Sequence, residues 1–274
     1  MSNKFVLHIE DLTVSFDGFK AVDGLNFYLE PDALHCVVGP NGAGKTTLLD
    51  MICGKTKPTS GKIYFKDTDI TELMEYQITR LGIGRKFQTP SVYDQLTVFE
   101  NLEISHPNPR GVLGSVFFKR TDRITQKVHE VAHKIFLGDH LDDTAAILSH
   151  GQKQWLEIGM LMMQDPELIL LDEPVAGMSA KEREKTAALL NEISPGRSII
   201  VIEHDMAFVK MVAKKVTVLH QGKLLAEGTL EKVQENLVTV KITCPQIVQP
   251  QKRSQHQNQR NPKVALEKCA ARAA

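Results

Sequence analysis

A glycine-rich stretch between a short apolar run and a helical pattern constrains this fold more than any other part of the sequence. The stretch reads Gly39-Pro40-Asn41-Gly42-Ala43-Gly44-Lys45-Thr46, a full match to the pattern G-x-x-x-x-G-K-[ST]. Glycines let the backbone turn tightly and aim successive N–H groups at one point, and a helix that begins near Lys45 adds the positive end of its dipole. Because such a loop binds phosphate, the chain is predicted to bind a nucleotide.

The residues of this loop divide between phosphate binding and metal binding. Lys45 is long enough to reach the β- and γ-phosphates of ATP, and the Thr46 hydroxyl is a suitable Mg²⁺ ligand. The predicted ATP-binding residues of the loop are Gly39, Pro40, Asn41, Gly42, Ala43, Gly44, Lys45, Thr46 and Thr47.

A second constraint is an apolar run that ends in two acids. Residues 168–171 show no alternation, which is typical of a strand buried on both faces of a parallel sheet, and Asp172 and Glu173 follow directly. Ligands bind at the carboxyl edge of such a sheet. Asp172 is therefore predicted to hold Mg²⁺ through water, and Glu173 to polarise the water that attacks ATP.

The remaining pattern predicts an α/β fold with two additional parts. Runs at 36–38 and 199–202 resemble the one at 168–171, and each leads toward a helical pattern, the rhythm of a parallel-sheet core. Alternating segments near the N-terminus predict a small antiparallel sheet; they are 6–16, 25–29 and 62–65. Between about 90 and 165, helical patterns at 123–136 and 152–163 predict a helical subdomain.

Composition and the N-terminal sequence argue against an integral membrane protein and a secreted protein. Hydrophobic residues make up 42% and charged residues 24%, as in soluble proteins, and the longest apolar runs fall far short of the ~20 residues that span a bilayer. The N-terminus has no secretory pattern, and four widely spaced cysteines favour a reduced, cytosolic setting over a metal cluster or disulfide framework.

Charge is distributed unevenly along the chain. Residues 241–274 carry a net charge of +6, against −6 for the rest, and they are rich in Gln with few large apolar side chains. This composition predicts a solvated, unfolded extension. Contact with nucleic acid or an anionic membrane surface is the alternative.

Three further motifs give the chain a resemblance to the ABC ATPases over about residues 5–240. The sequence Leu148-Ser149-His150-Gly151-Gln152 resembles the signature motif LSGGQ of that family and precedes the acidic strand end, as it does there. Gln88 matches the family's Q-loop, and His204 matches its switch histidine. The resemblance implies a P-loop ABC ATPase domain with a RecA-like parallel-sheet core.

The resemblance also implies a mechanism. Two such domains pack head to tail around two ATP molecules, and the signature residues Leu148, Ser149, His150, Gly151 and Gln152 of one face the nucleotide held by the other. Glu173 is the implied general base, His204 contacts the γ-phosphate and the attacking water, and Mg²⁺ is sensed by Gln88. Phe16 is the residue implied to stack on adenine, with Phe19 as its rival; either aromatic is alternatively part of the core.

The implied partners are a second ABC ATPase subunit, identical or related, two transmembrane permease subunits and, indirectly, a solute-binding protein. The expected location is peripheral, on the cytoplasmic face of the inner or plasma membrane, with residues 89–101 as the docking segment and no nucleic acid bound. The finer resemblance is to importers of the branched-chain amino acid type, and 148–160 looks most like the ATPase of a urea importer. Urea is therefore the expected solute, with branched-chain amino acids as the alternative.

A soluble ABC ATPase that acts on ribosomes or DNA is a weaker alternative, because such proteins usually carry two cassettes or long coiled coils. This chain shows one cassette and no heptad run. It also departs from the family pattern at two motif positions: His150 replaces the second glycine of the signature, and Ser179 stands where the D-loop usually has Asp. We expect ATPase activity to survive the first change and to be slower or asymmetric because of the second.

Overall fold

The computed structural model describes residues 4–86, 91–107 and 121–235. A four-stranded sheet lies near the N-terminus and consists of β1 (Leu7–Phe16), β2 (Phe19–Leu29), β4 (Ser60–Phe65) and β5 (Thr68–Asp69). Its strand order is β2-β1-β4-β5, and all of its pairs are antiparallel. This sheet was predicted from the sequence, although β2 begins earlier than the predicted 25–29.

A six-stranded sheet forms the core and consists of β3 (Leu34–Val38), β6 (Ile83–Lys86), β7 (Leu168–Asp172), β8 (Ser198–Ile202), β9 (Lys215–His220) and β10 (Lys223–Gly228). Its strand order is β10-β9-β3-β8-β7-β6. Five of them are parallel, and β10 pairs with β9 in the antiparallel direction. The predicted parallel-sheet core is confirmed; β6, β9 and β10 were not predicted.

Alternate residues of the central strands pack into two separate apolar clusters. Leu168 and Leu170 of β7 belong to the cluster that contains the antiparallel sheet, while Ile169 and Leu171 belong to the cluster that contains the helices of residues 98–164. Both faces of β7 are therefore buried, which is why its sequence is continuously apolar instead of alternating.

Helices surround this core. They are α1 (Lys45–Ile52), α2 (Glu75–Arg80), α3 (Val98–Ile104), α4 (Asp122–Lys134), α5 (His150–Gln164), α6 (Ala180–Ile193) and α7 (Met206–Val212). Helices α3, α4 and α5 pack on one another, and among the described residues of 91–165 the only β-type pairing is an isolated bridge between Thr97 and Thr144. None of the described helices is long and apolar enough to cross a membrane.

Candidate nucleotide-binding site

Lys45 holds its ammonium group inside the glycine-rich loop between β3 and α1. Its Nζ donates hydrogen bonds to the carbonyl oxygens of Gly39 at 2.8 Å and Pro40 at 3.1 Å, and the residue is 8% exposed. Burial lowers the pKa of Lys45, while the nearby carboxylates of Glu173 and Asp172 act to raise it. The loop is thus formed around a cation, which suits it to the phosphates of a nucleotide.

Gly44 explains why this loop needs glycine at its junction with α1. Its φ of 97° lies in the left-handed region, and a Cβ there would overlap the carbonyl oxygen of Ala21 in β2. Gly42 also has a positive φ, of 79°, but a Cβ at that position would meet nothing within 4 Å. The antiparallel sheet therefore leaves no room for a side chain at Gly44, whereas the space around Gly42 is open.

Asp172 ends β7 as a buried carboxylate beside the loop. It is 2% exposed and accepts a hydrogen bond from the Thr46 hydroxyl, and its Oδ2 lies 3.6 Å from Nη2 of Arg85. Burial raises the pKa of Asp172, and the Arg85 guanidinium opposes that shift. Arg85 itself is anchored by a 2.6 Å contact with Asp50 of α1.

The pairing of a hydroxyl with a carboxylate fits Mg²⁺, which prefers oxygen ligands. Thr46 and Asp172 lie together, whereas Gln88, the third predicted metal residue, lies outside the described residues. Within the described ranges, no group of three or more His, Cys, Asp or Glu side chains is placed to hold a metal.

Glu173 and His204 come together from the ends of two neighbouring strands. Asp172 of β7 is in register with Ile202 of β8, so the residues that follow each strand leave the sheet side by side. Glu173 Oε1 lies 3.3 Å from His204 Nδ1, and the His204 side chain is 63% exposed. A carboxylate and an exposed imidazole that lie this close together are suited to general acid–base chemistry.

Glu173 adopts a strained backbone conformation. Its φ is 47°, unusual for a residue other than glycine, and its N–H donates to the Ile202 carbonyl at 3.0 Å. This conformation ends the extended backbone of β7 directly after Asp172. Strain of this kind clusters at functional sites.

Ser149 begins α5 and caps it. Its Oγ accepts from the Gln152 N–H at 3.2 Å, and its own N–H donates to Gln152 Oε1 at 2.9 Å. The S-x-x-Q spacing of the signature is therefore a capping box. Leu148, the preceding residue, is buried, and the N-terminus of α5 offers a positive dipole end to an anion.

His150 contacts the loop that follows β7 in the same chain. Its Nε2 lies 3.2 Å from the Ala176 carbonyl oxygen and 3.2 Å from Nε2 of the buried Gln154, and its ring packs against Gly177. The bulkier side chain thus lies toward the D-loop, and the adjacent Ser149 remains exposed.

Ser179 ends that loop and caps α6. The Glu182 carboxylate accepts from the Ser179 N–H at 2.8 Å and from its hydroxyl at 2.7 Å. A Cβ on Gly151 would lie 2.5 Å from Glu182 Oε1, so this carboxylate lies against the signature glycine. A carboxylate is therefore present at this end of the loop, although Ser179 itself has none.

Phe16 and Phe19 flank the hairpin turn between β1 and β2. They are partners in register across Asp17 and Gly18, whose positive φ values are those of a tight two-residue turn. Phe16 is 48% exposed and Phe19 65% exposed, so neither belongs to the core. The core alternative is thus wrong for both, and the choice between them as the adenine contact stays open.

Three charged residues that the sequence analysis passed over are buried around the site. Lys86 is fully buried, with its Nζ 3.5 Å from Glu157 Oε2 of α5, and Arg85 precedes it at the end of β6. Glu203 is 1% exposed after β8. Their position in the sequence could have identified these three residues, because each lies at the carboxyl end of a strand beside a motif. The tail 241–274, like Gln88, lies outside the described residues.

Comparison with known proteins gives a consistent result. Residues 22–176 match the family model described as ABC transporter. The chain is 33% identical over 247 residues to the high-affinity branched-chain amino acid transport ATP-binding protein BraF of Pseudomonas aeruginosa, covering 86% of this chain and 96% of the relative. It is 33% identical over 240 residues to the corresponding LivG protein of Escherichia coli K12, covering 84% and 94%.

Solved structures agree with the sequence relatives. The crystal structure of a nucleotide-free ATP-binding cassette from an ABC transporter aligns with a TM-score of 0.78 and 30% identity. That alignment covers 90% of this chain and 100% of the other. The same arrangement of sheets and helices is therefore found in a nucleotide-binding cassette.

Proposed function

This chain belongs to the family of ABC transporter ATP-binding subunits, and from that premise we propose that it hydrolyses ATP to power a branched-chain amino acid importer. The observation that carries the proposal is the convergence of Lys45, Asp172 and the Glu173–His204 pair at one edge of the parallel sheet. The family accounts for ATP hydrolysis, and the named relatives support the solute class.

The loop residues 39–47 would bind the phosphates of ATP. Lys45 would exchange its two carbonyl acceptors for phosphate oxygens, which carry full negative charge and bind an ammonium more strongly. Thr46 and Asp172 would hold Mg²⁺, with Gln88 as a further predicted ligand. When bound, Mg²⁺ would neutralise part of the negative charge of the phosphates.

Glu173 would act as the general base. Its carboxylate would accept a proton from the attacking water, and His204 at 3.3 Å would orient that water and contact the γ-phosphate. Because both residues follow neighbouring parallel strands, they are held together before nucleotide arrives, which reduces the reorganisation needed for reaction.

The signature residues would complete the site of a second ATPase subunit. The capped N-terminus of α5 presents Ser149 and the backbone N–H groups of its first turn, a combination suited to a γ-phosphate. His150 would support this surface through the D-loop of its own chain instead of contacting phosphate. The second subunit is either a copy of this chain or a relative.

The permease subunits would dock on the described part of the predicted segment, 91–101. Asn101 is fully buried there: its Oδ1 accepts from the Tyr93 N–H, and its Nδ2 donates to the carbonyls of Tyr93, Leu96 and Thr97. Tyr93 is 54% exposed on this ordered turn. An exposed aromatic on a rigid turn is a suitable contact for a partner.

The solute assignment changes from the sequence analysis. Urea was expected, with branched-chain amino acids as the alternative, and the relatives named above support the alternative. We therefore propose leucine, isoleucine and valine as the transported class, with peripheral attachment to the cytoplasmic face of the membrane through the permeases.

The ATPase part of the proposal is tested with purified chain. Glu173→Gln keeps the shape of the side chain but removes the base, so turnover should fall at least ~100-fold while ATP still binds. Glu72→Gln makes the same chemical change on an exposed side chain and is the matched control. Unchanged turnover in Glu173→Gln would remove Glu173 from its role as base.

The transport part is tested by uptake in the native host. Cells that lack this chain should lose uptake of labelled leucine, and the wild-type gene, but not Glu173→Gln, should restore it. Loss of urea uptake with normal leucine uptake would establish urea instead. A pull-down with Glu173→Gln and ATP should recover permeases; ribosomes or nucleic acid without permeases would contradict a transport role.

A further inference from the structure

Glu203 is a buried carboxylate that the proposed reaction does not use. It follows β8 directly, lies one residue before His204, and is 1% exposed. Acidic side chains are rarely buried to this extent unless they are paired or hydrogen-bonded, because losing hydration is costly. The groups around Glu203 must therefore stabilise its carboxylate in the protein interior.

Backbone N–H groups from two separate loops surround this carboxylate. Oε1 accepts from the Val175 N–H at 3.3 Å, in the loop after β7. Oε2 accepts from the N–H groups of His204 at 3.1 Å and Asp205 at 3.4 Å, in the loop after β8. One side chain thus ties together the loop that contains Glu173 and the loop that contains His204.

The donors identify the charge state that this arrangement requires. Three N–H groups point at the two oxygens, so an ionised carboxylate satisfies all of them. Burial raises the pKa of Glu203, and its three backbone hydrogen bonds oppose that shift. Lys86, which is fully buried, adds an attractive electrostatic interaction with the same carboxylate.

We propose that Glu203 is a positioning residue for ATP hydrolysis, which fixes Glu173 relative to His204 by binding the backbone of both loops. It does not touch substrate. It acts through Val175, two residues beyond Glu173, and through the N–H of His204 itself. The inference rests on the proposed catalytic roles of Glu173 and His204.

An amide cannot reproduce this role. In Glu203→Gln one oxygen becomes an NH₂ group that faces a backbone N–H, so at least one of the two loops loses its acceptor. Glu203→Asp keeps the charge and both oxygens but is one methylene shorter, so it should retain part of the function. Glu72→Gln again serves as the surface control for the same chemical change.

The experiment is steady-state ATPase kinetics on the full chain, with melting temperature recorded for each variant. Glu203→Gln should lower kcat at least ~10-fold and change KM for ATP less than ~3-fold, since Lys45 and its loop are untouched. Glu203→Asp should recover part of kcat. In a His204→Ala background, Glu203→Gln should cost less than ~2-fold more, because the imidazole relative to which Glu203 fixes Glu173 is already gone.

The outcomes separate this inference from the proposed function. Normal kcat in folded Glu203→Gln, or an undiminished effect in the His204→Ala background, would overturn the positioning role while leaving the site intact. Normal turnover in both Glu173→Gln and His204→Ala would overturn the catalytic roles and this inference with them. A lower melting temperature with unchanged kcat would reduce Glu203 to a structural residue.

Discussion

The buried histidine His35 should contribute to destabilisation of this protein by acid. His35 in β3 is 1% exposed, and its Nε2 lies 2.7 Å from the Thr217 hydroxyl, which donates to Glu227 Oε2 at 3.0 Å. Because the hydroxyl proton is used there, Nε2 of His35 must be the donor. Nδ1 is then the unprotonated nitrogen, and it has no hydrogen-bond partner among the described residues.

The magnitude follows from the pKa shift. Burial lowers the pKa of His35 from 6.5 to about 4, against a smaller opposing effect of Glu227. As pH falls below the unfolded value, the unfolded chain takes up this proton first, so stability is lost between about pH 6.5 and pH 4. At about 1.4 kcal/mol per pKa unit, His35 alone should lower the free energy of unfolding by about 2 kcal/mol between pH 7 and pH 5.

Urea unfolding at about pH 7 and about pH 5 measures this loss in the wild type and in His35→Gln. The variant loses packing against Phe27 at both pH values, so only the titration differs between the two chains. We expect the pH-dependent loss to be about 2 kcal/mol smaller in His35→Gln. Losses that agree within about 0.5 kcal/mol would refute the assignment of this proton to His35.

Three further perturbations test other parts of the structure. Lys45→Ala should weaken ATP binding at least ~30-fold, about 2 kcal/mol for lost charged hydrogen bonds, and equilibrium binding with a fluorescent ATP analogue would detect it. Gly44→Ala should impair nucleotide binding more than Gly42→Ala, because both have positive φ but only Gly44 is pressed by Ala21; equal effects would remove the steric argument. Asn101→Ala should cost about 2–3 kcal/mol and lower the melting temperature by ~5–10 °C, since buried backbone groups lose their partner; an unchanged value would contradict that role.

The central strands were predictable because their burial is complete on both faces. The run at 168–171 is continuously apolar, and the same residues supply both clusters of the core. The pairing of Glu173 with His204 follows from the same logic, since carboxyl ends of parallel strands meet at one edge. The capping box at Ser149 is equally local, because it depends on a spacing of three residues.

Strand β6 was missed because its stability is not local. It reads Ile83-Gly84-Arg85-Lys86, and two basic residues after a glycine resemble a solvated loop. Their burial depends on distant carboxylates, Asp50 for Arg85 and Glu157 for Lys86, which no local pattern reveals. Glu203 was missed for a related reason, because its partners are backbone N–H groups that converge only after the chain folds.

The register of β7 against β8 has a consequence for how the site tolerates change. Asp172 pairs with Ile202, and neighbouring strands lie about 4.8 Å apart. The sheet therefore sets the distance between the loop after β7 and the loop after β8 where they enter the site. Substitutions in the outer parts of both loops can therefore accumulate and alter rate or partner while the reacting pair keeps its spacing. A substitution at a fully buried position of β7 that shifts the strand can abolish the activity of the site, although no residue of the site is changed.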